Sequence, residues 1–204
     1  MVMARTLDVY FDFGSMNSYF AHKVLPGIAE RTGAELRVAP VLIGGLFKLV
    51  GNLPPLVAFK EVKGKVEYFH TETARFVRRH KLDRYRWNPH FPVNTLAAMR
   101  AATAADMDGK LAPFADAGFR AMWEDEKPLA EPETLRAVIA EAGLDPDRIF
   151  ARMQQQDVKD RLATNTSELA ARGGFGLPSV FLGDELYYGK DSLRDLEDDL
   201  AETA

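Results

Sequence analysis

The chain has 204 residues, 47% of them hydrophobic, enough to bury one substantial core or one core with a sizeable insertion, and its mild net charge of −4 argues against a nucleic-acid partner. It contains no cysteine, which excludes disulfides, thiolate metal sites and a cysteine nucleophile of its own, so any thiol chemistry must use a borrowed thiol. No stretch approaches the length of a membrane span, and Arg5 leads into a strand-like run with no small-residue cleavage site, so a cytoplasmic protein without membrane partners is expected.

The first strand signal covers residues 7–13, L-D-V-Y-F-D-F, and stops at Gly14. Ser15, Met16, Asn17 and Ser18 follow with a spacing that would suit a C-x-x-C redox motif, and a helical stretch runs over 17–32, closed by Gly33. A second strand signal at 36–43 completes a βαβ unit, which predicts a parallel strand pair. The Pro-rich spot Asn52-Leu53-Pro54-Pro55 reads as a loop. From Gly44 to about Arg172 strand signals are nearly absent, while helical periodicity recurs over 61–80, 95–107, 110–123 and 132–142. Across and just beyond the first of these, residues 60–86 carry nine Lys or Arg against four acids, mostly a solvated face, with one or two cations expected to face a pocket for an anionic ligand. Two short strands at 179–182 and 185–188 flank Gly183-Asp184, a dipeptide suited to a two-residue hairpin turn, and a last helix spans 192–201 with Asp191 or Ser192 available as its N-cap. The order is β-α-β, a long helical stretch, then β-β-α. It predicts an α/β chain with a thioredoxin-like domain made of 1–44 and 173–204, interrupted by an all-helical insertion at 45–172.

Two loops carry the candidate chemistry. Ser15 lies between a strand and a helix start, where backbone N–H groups and the helix dipole favour an anion. No histidine base is close in sequence, so its hydroxyl is better suited to donating a hydrogen bond to another molecule's thiolate than to acting as a nucleophile. A plain helix cap is the competing role. The second loop, G-F-G-L-P-S at 174–179, places a proline directly before a strand. A cis peptide at Leu177-Pro178 would leave the Leu177 N–H and C=O to pair with an extended peptide-like ligand, as in strand addition.

Taken together, F-D-F-G-S-M-N-S-Y-F (11–20), G-N-L-P-P (51–55), K-V-E-Y (65–68), N-P-H-F-P-V-N-T (88–95), G-F-G-L-P-S (174–179) and G-D-E-L-Y-Y-G-K-D-S-L (183–193) resemble the 2-hydroxychromene-2-carboxylate isomerase family and its kappa-class glutathione transferase relatives, within the DsbA-like thioredoxin superfamily. The resemblance spans nearly the whole chain. It implies a glutathione cofactor whose thiolate Ser15 holds, with Asn52 and Lys65 reaching glutathione, Leu177 of the Leu177-Pro178 pair meeting its cysteinyl backbone, and Lys190 with Asp191 at its γ-glutamyl end. It further implies a homodimer and an isomerase acting on aromatic carboxylates by reversible thiolate addition, bond rotation and thiol release; the alternatives are a kappa-like glutathione transferase or peroxidase acting on another electrophile, and a non-catalytic thioredoxin-like binding module. Phe47, Tyr68, Trp87 and Phe91 are candidates to line the substrate side, whereas His90 is read as a loop residue. The chain departs from the family pattern at Met16, where proline is commoner, and at Lys190, where a small or uncharged polar residue is usual; a cation there affects how Asp191 can meet an ammonium.

Overall fold

The computed structural model describes residues 5–202. Strand β1 (Thr6–Phe11) lies at the centre of a four-stranded sheet of order β2-β1-β3-β4. It pairs in parallel with β2 (Glu35–Pro40), placing Val9 opposite Val38, and antiparallel with β3 (Ser179–Leu182), placing Val9 opposite Val180. Strand β4 (Glu185–Tyr188) pairs with β3 through the Gly183-Asp184 turn, where Gly183 has φ +61, a left-handed value that glycine adopts without steric cost. Leu7, Val9, Tyr10 and Phe11 are all buried, which explains why this stretch reads as a nearly continuous apolar run: both faces of a central strand are covered.

Helix α1 (Met16–Thr32) links β1 to β2 and ends where Gly33, at φ +68, returns its N–H to Ala29. Between β2 and β3 every element is helical: α2 (Ile43–Val50), α3 (Pro55–Ala58), α4 (Lys65–His80), α5 (Leu96–Met107), α6 (Leu111–Trp123), α7 (Pro132–Glu141), α8 (Pro146–Arg152) and α9 (Gln156–Ala171). Helix α10 (Leu193–Glu202) follows the hairpin and packs against α1. The thioredoxin-like order with a helical interruption is therefore the observed architecture. No helix among the described residues is long and apolar enough to cross a membrane.

Four local expectations change. The first strand ends at Phe11, short of residue 13, because Asp12 bonds within the loop that follows, to the Gly14 and Ser15 N–H groups. The second strand stops at Pro40, and Leu42 and Ile43 turn into α2, because their N–H groups bond to Thr166 Oγ1 and Asp12 Oδ2 instead of a strand partner. The helix expected from 61 begins at Lys65, after Gly64 at φ +79. Helix α9 had no apolar period to announce it: its inner face carries Asn165 and Thr166, which bond to the Pro40 and Leu162 carbonyls.

The Ala-rich inner face of α5 allows α6 and α9 to approach closely, and the core around them is aromatic. Phe13 packs edge-on against Phe11, Phe114 and Phe119 with ring centroids 5.0 to 5.7 Å apart. Gly118 on α6 is the residue that lets Phe13 in, since a Cβ there would lie 2.5 Å from the ring. With the ring boxed in on all sides, Gly118→Ala is predicted to lower the unfolding free energy by about 1 to 3 kcal/mol despite alanine's better helix propensity, measured by urea denaturation. An unchanged or higher midpoint would mean that Phe13 can move.

Candidate active site

The β1–α1 loop is fixed by its own backbone and by one buried side chain. Asp12 has no solvent exposure and accepts three hydrogen bonds: the Gly14 N–H at 2.8 Å, the Ile43 N–H at 2.9 Å and the Thr95 hydroxyl at 3.0 Å. Its carbonyl receives the Ser15 N–H at 3.0 Å, and the Trp123 indole donates to the Phe13 carbonyl at 2.8 Å. Gly14 must be small here, because a Cβ would press on Thr95 at 3.1 Å and on Asp12 at 3.3 Å. Burial pushes the Asp12 carboxyl up to about 6 against the opposing pull of its three donors.

This loop delivers Ser15 as the N-cap of α1, only 8% exposed. Its Oγ accepts from the Ser18 N–H at 3.2 Å and donates to the Leu177 carbonyl at 3.0 Å. The capping role is therefore present, and the same oxygen carries a hydrogen that is given to the Leu177 carbonyl. The first turn of α1 carries no acidic side chain, so the positive end of the helix dipole is not locally compensated. The nearest histidine in sequence, His22, bonds to Asp116 at 2.6 Å, and no histidine lines either cavity beside Ser15. His90 is exposed.

The Leu177–Pro178 bond is cis, as is Phe91–Pro92. Leu177 is buried beside Ser15; its carbonyl is taken by the Ser15 hydroxyl, while its N–H has no acceptor among the described residues. The expectation that both groups stand free is therefore half met. Pro178 itself walls a separate cleft between the sheet, α1 and α6.

Two adjoining cavities meet at the start of α1. The larger, about 490 Å³, is floored by Ser15 and walled by Phe47, Phe69, Trp87, Phe91, Trp123 and Tyr188. The smaller, about 170 Å³, is polar at one end, with Lys65, Glu72, Lys190 and Asp191. Asn17, Pro55, Leu56, Phe69 and Tyr188 line both. Of the four aromatic residues expected on the substrate side, Phe47, Trp87 and Phe91 line the larger cavity and Tyr68 lines the polar one.

Lys65 opens α4 with its ammonium 5.6 Å from the Phe59 ring centroid and lines the smaller cavity, whereas its neighbour Lys63, an alternative cation by sequence, lines neither of the two. Asn52 stands outside both cavities, its amide 3.4 Å from the Phe175 carbonyl of the loop that carries Leu177. Lys190, with its side chain 2% exposed, donates to both oxygens of Asp191 at 2.5 and 2.6 Å. Asp191 consequently does not cap α10; Ser192 precedes that helix, and its hydroxyl donates to the Gly189 carbonyl.

Asp12, Asn17 and Trp123 escaped the sequence reading. Asn17 carries a buried amide oxygen with no partner, beside Ser15 and lining both cavities, a feature that appears only in three dimensions.

The family described as DSBA-like thioredoxin domain matches residues 6–201. The 2-hydroxychromene-2-carboxylate isomerase of Sphingobium xenophagum is 26% identical over 197 residues, covering 96% of this chain and 97% of the relative. Glutathione S-transferase kappa 1 of Rattus norvegicus is 23% identical over 188 residues, covering 86% of this chain and 80% of the relative. A solved structure of 2-hydroxychromene-2-carboxylate isomerase aligns over 97% of this chain and 95% of its own, with a TM-score of 0.81 at 24% identity. The fold and the family resemblance read from the motifs are both borne out.

The buried carboxyl makes stability depend on pH. Asp12 holds its proton more tightly folded than unfolded, so its contribution is full below about 3.8 and is lost as the pH rises through about 6. The difference in unfolding free energy between the wild type and Asp12→Asn is predicted to move by about 2 kcal/mol in favour of the variant between about pH 4 and about pH 7. A difference that does not change with pH would show that Asp12 titrates normally.

Proposed function

We propose that this chain, which belongs to the DSBA-like thioredoxin domain family, is a glutathione-dependent isomerase of 2-hydroxychromene-2-carboxylate-like aromatic acids. The observation that carries this is the Ser15 hydroxyl, set at the positive end of α1 in a cysteine-free chain and opening onto an aromatic-walled cavity with a charged one beside it. The relatives named as isomerases support the reaction, and the kappa transferase supports the use of glutathione.

The residues present fit that cofactor. Asn17 offers an orphaned amide oxygen, the Leu177 N–H lacks an acceptor, and Lys65 supplies a cation for an anionic tripeptide. The Lys190–Asp191 pair neutralises itself, so it suits a γ-glutamyl end that is a zwitterion, with the ammonium on Asp191 and the carboxylate on Lys190. Asn52 acts by holding the Phe175 segment of the Leu177 loop. When bound, glutathione supplies a thiolate that adds reversibly to the conjugated, ring-opened acid.

The protein's part is to make that thiolate available and to orient the acid. A charge-assisted hydrogen bond from Ser15 contributes about 1.5 to 3 kcal/mol and the helix N-terminus about 0.3 to 1 kcal/mol, enough to lower a thiol pKa by one to three units. Trp87, Phe91 and Phe47 shield the aromatic ring from water. In this scheme, residues 1–44 and 173–204 form the domain that holds the thiol, the insertion at 45–172 supplies the cavity walls, and the protein is a cytoplasmic homodimer.

Ultraviolet titration of bound glutathione is predicted to show a thiol pKa about one to three units below the free value, with most of that lowering lost in Ser15→Ala. Isomerisation of hydroxychromene carboxylate is expected to require added glutathione. A bound thiol that titrates like the free one, or equal rates without glutathione, would reject the proposal. Trp87→Ala is expected to raise KM for the aromatic acid several-fold while leaving the thiol pKa unchanged, and a change confined to the pKa would place the substrate elsewhere.

A further inference from the structure

We infer that the Ser15 hydroxyl is a donor shared between the Leu177 carbonyl and an incoming sulfur, so that the site stabilises a thiolate only when the ligand brings its own backbone N–H to Leu177. The inference rests on the thiolate role proposed for Ser15 and adds a selection rule to it: cysteinyl amides are favoured over thiols that lack an amide N–H.

A serine hydroxyl carries one hydrogen. In the structure that hydrogen is committed to Leu177 at 3.0 Å, in a buried pair. The oxygen itself is held by the Ser18 N–H, so the hydroxyl can change acceptor by turning about its C–O bond while Oγ stays in place. Turning toward sulfur strips the Leu177 carbonyl of its partner. A buried carbonyl left unpaired is costly, and water is a poor substitute in a cavity walled by Trp87, Phe91 and Trp123.

An extended peptide beside Leu177 solves this. Its N–H can replace the hydroxyl on the Leu177 carbonyl, and its C=O can accept from the Leu177 N–H, which has no acceptor among the described residues. The dimensions agree. Within one cysteinyl residue the amide nitrogen and the sulfur lie roughly 3 Å apart in a gauche rotamer, matching the 3.0 Å between Ser15 Oγ and the Leu177 oxygen. One residue can therefore take over the carbonyl with its N–H and present sulfur to the freed hydroxyl. A thiol without the amide leaves the hydroxyl on Leu177 and stays protonated.

The test compares glutathione with an analogue in which an ester oxygen replaces the amide N–H between the γ-glutamyl and cysteinyl residues. Each thiol is titrated free and bound to wild type and to Ser15→Ala, with affinities followed across pH by calorimetry. In the wild type, binding should lower the thiol pKa of glutathione by at least about one unit more than that of the ester, so the preference for glutathione rises about ten-fold or more as the thiol ionises. In Ser15→Ala the carbonyl lacks the hydroxyl from the start, so the preference should not change with pH. Equal lowering of both thiols in the wild type would overturn the shared donor while leaving Ser15 its thiolate role. If neither thiol were lowered, the thiolate role would fall and the inference with it.

Discussion

Asp12 holds together three segments that are far apart in the chain. Its two oxygens take the Gly14 N–H, the Ile43 N–H at the start of α2 and the Thr95 hydroxyl ahead of α5, so one carboxyl sets the β1–α1 loop against the entrance and the middle of the helical region. A group without solvent contact and with three donors aimed at it has one low-energy position, and the loop backbone follows it. Ser15 is then placed by the chain geometry and has little freedom of its own. The cost is the desolvation that raises the Asp12 pKa, a buried charge accepted at the point where the loop must not move.

From that anchor the site follows in short steps. The loop starts α1 at Ser15, and the helix end favours an anion. The Leu177 segment faces it and presently holds its hydrogen. Aromatic side chains from α2, α4, the 80s loop and α6 close an apolar room over the hydroxyl, while Lys65, Lys190 and Asp191 keep one end charged. Burial and charge are divided between adjoining cavities, which supports the proposed ligand, charged at one end and carrying a sulfur at the other.

Much of this was legible in the sequence because it depends on local chemistry. The hairpin strands fell on their expected residues, since a Gly-Asp turn between two short apolar runs admits few alternatives. Ser15 and Leu177 were marked by their positions after a strand and before a proline. Asp12 was not legible: in F-D-F it reads as one polar position in a strand, and two of its three partners lie 31 and 83 residues away. The α9 helix was hidden by Asn165 and Thr166, polar residues that are buried because backbone atoms of the β2–α2 turn need partners. Lys190 showed its charge but not its geometry; nothing in a linear reading says that its ammonium closes on the neighbouring Asp191.

Whether a hydroxyl holds a sulfur that the chain lacks is decided by a crystal structure of the protein with glutathione. The glutathione sulfur is expected within hydrogen-bond distance of Ser15 Oγ, with the Leu177 carbonyl accepting from the cysteinyl N–H. A sulfur remote from Ser15, with the Ser15–Leu177 hydrogen bond intact, would contradict it.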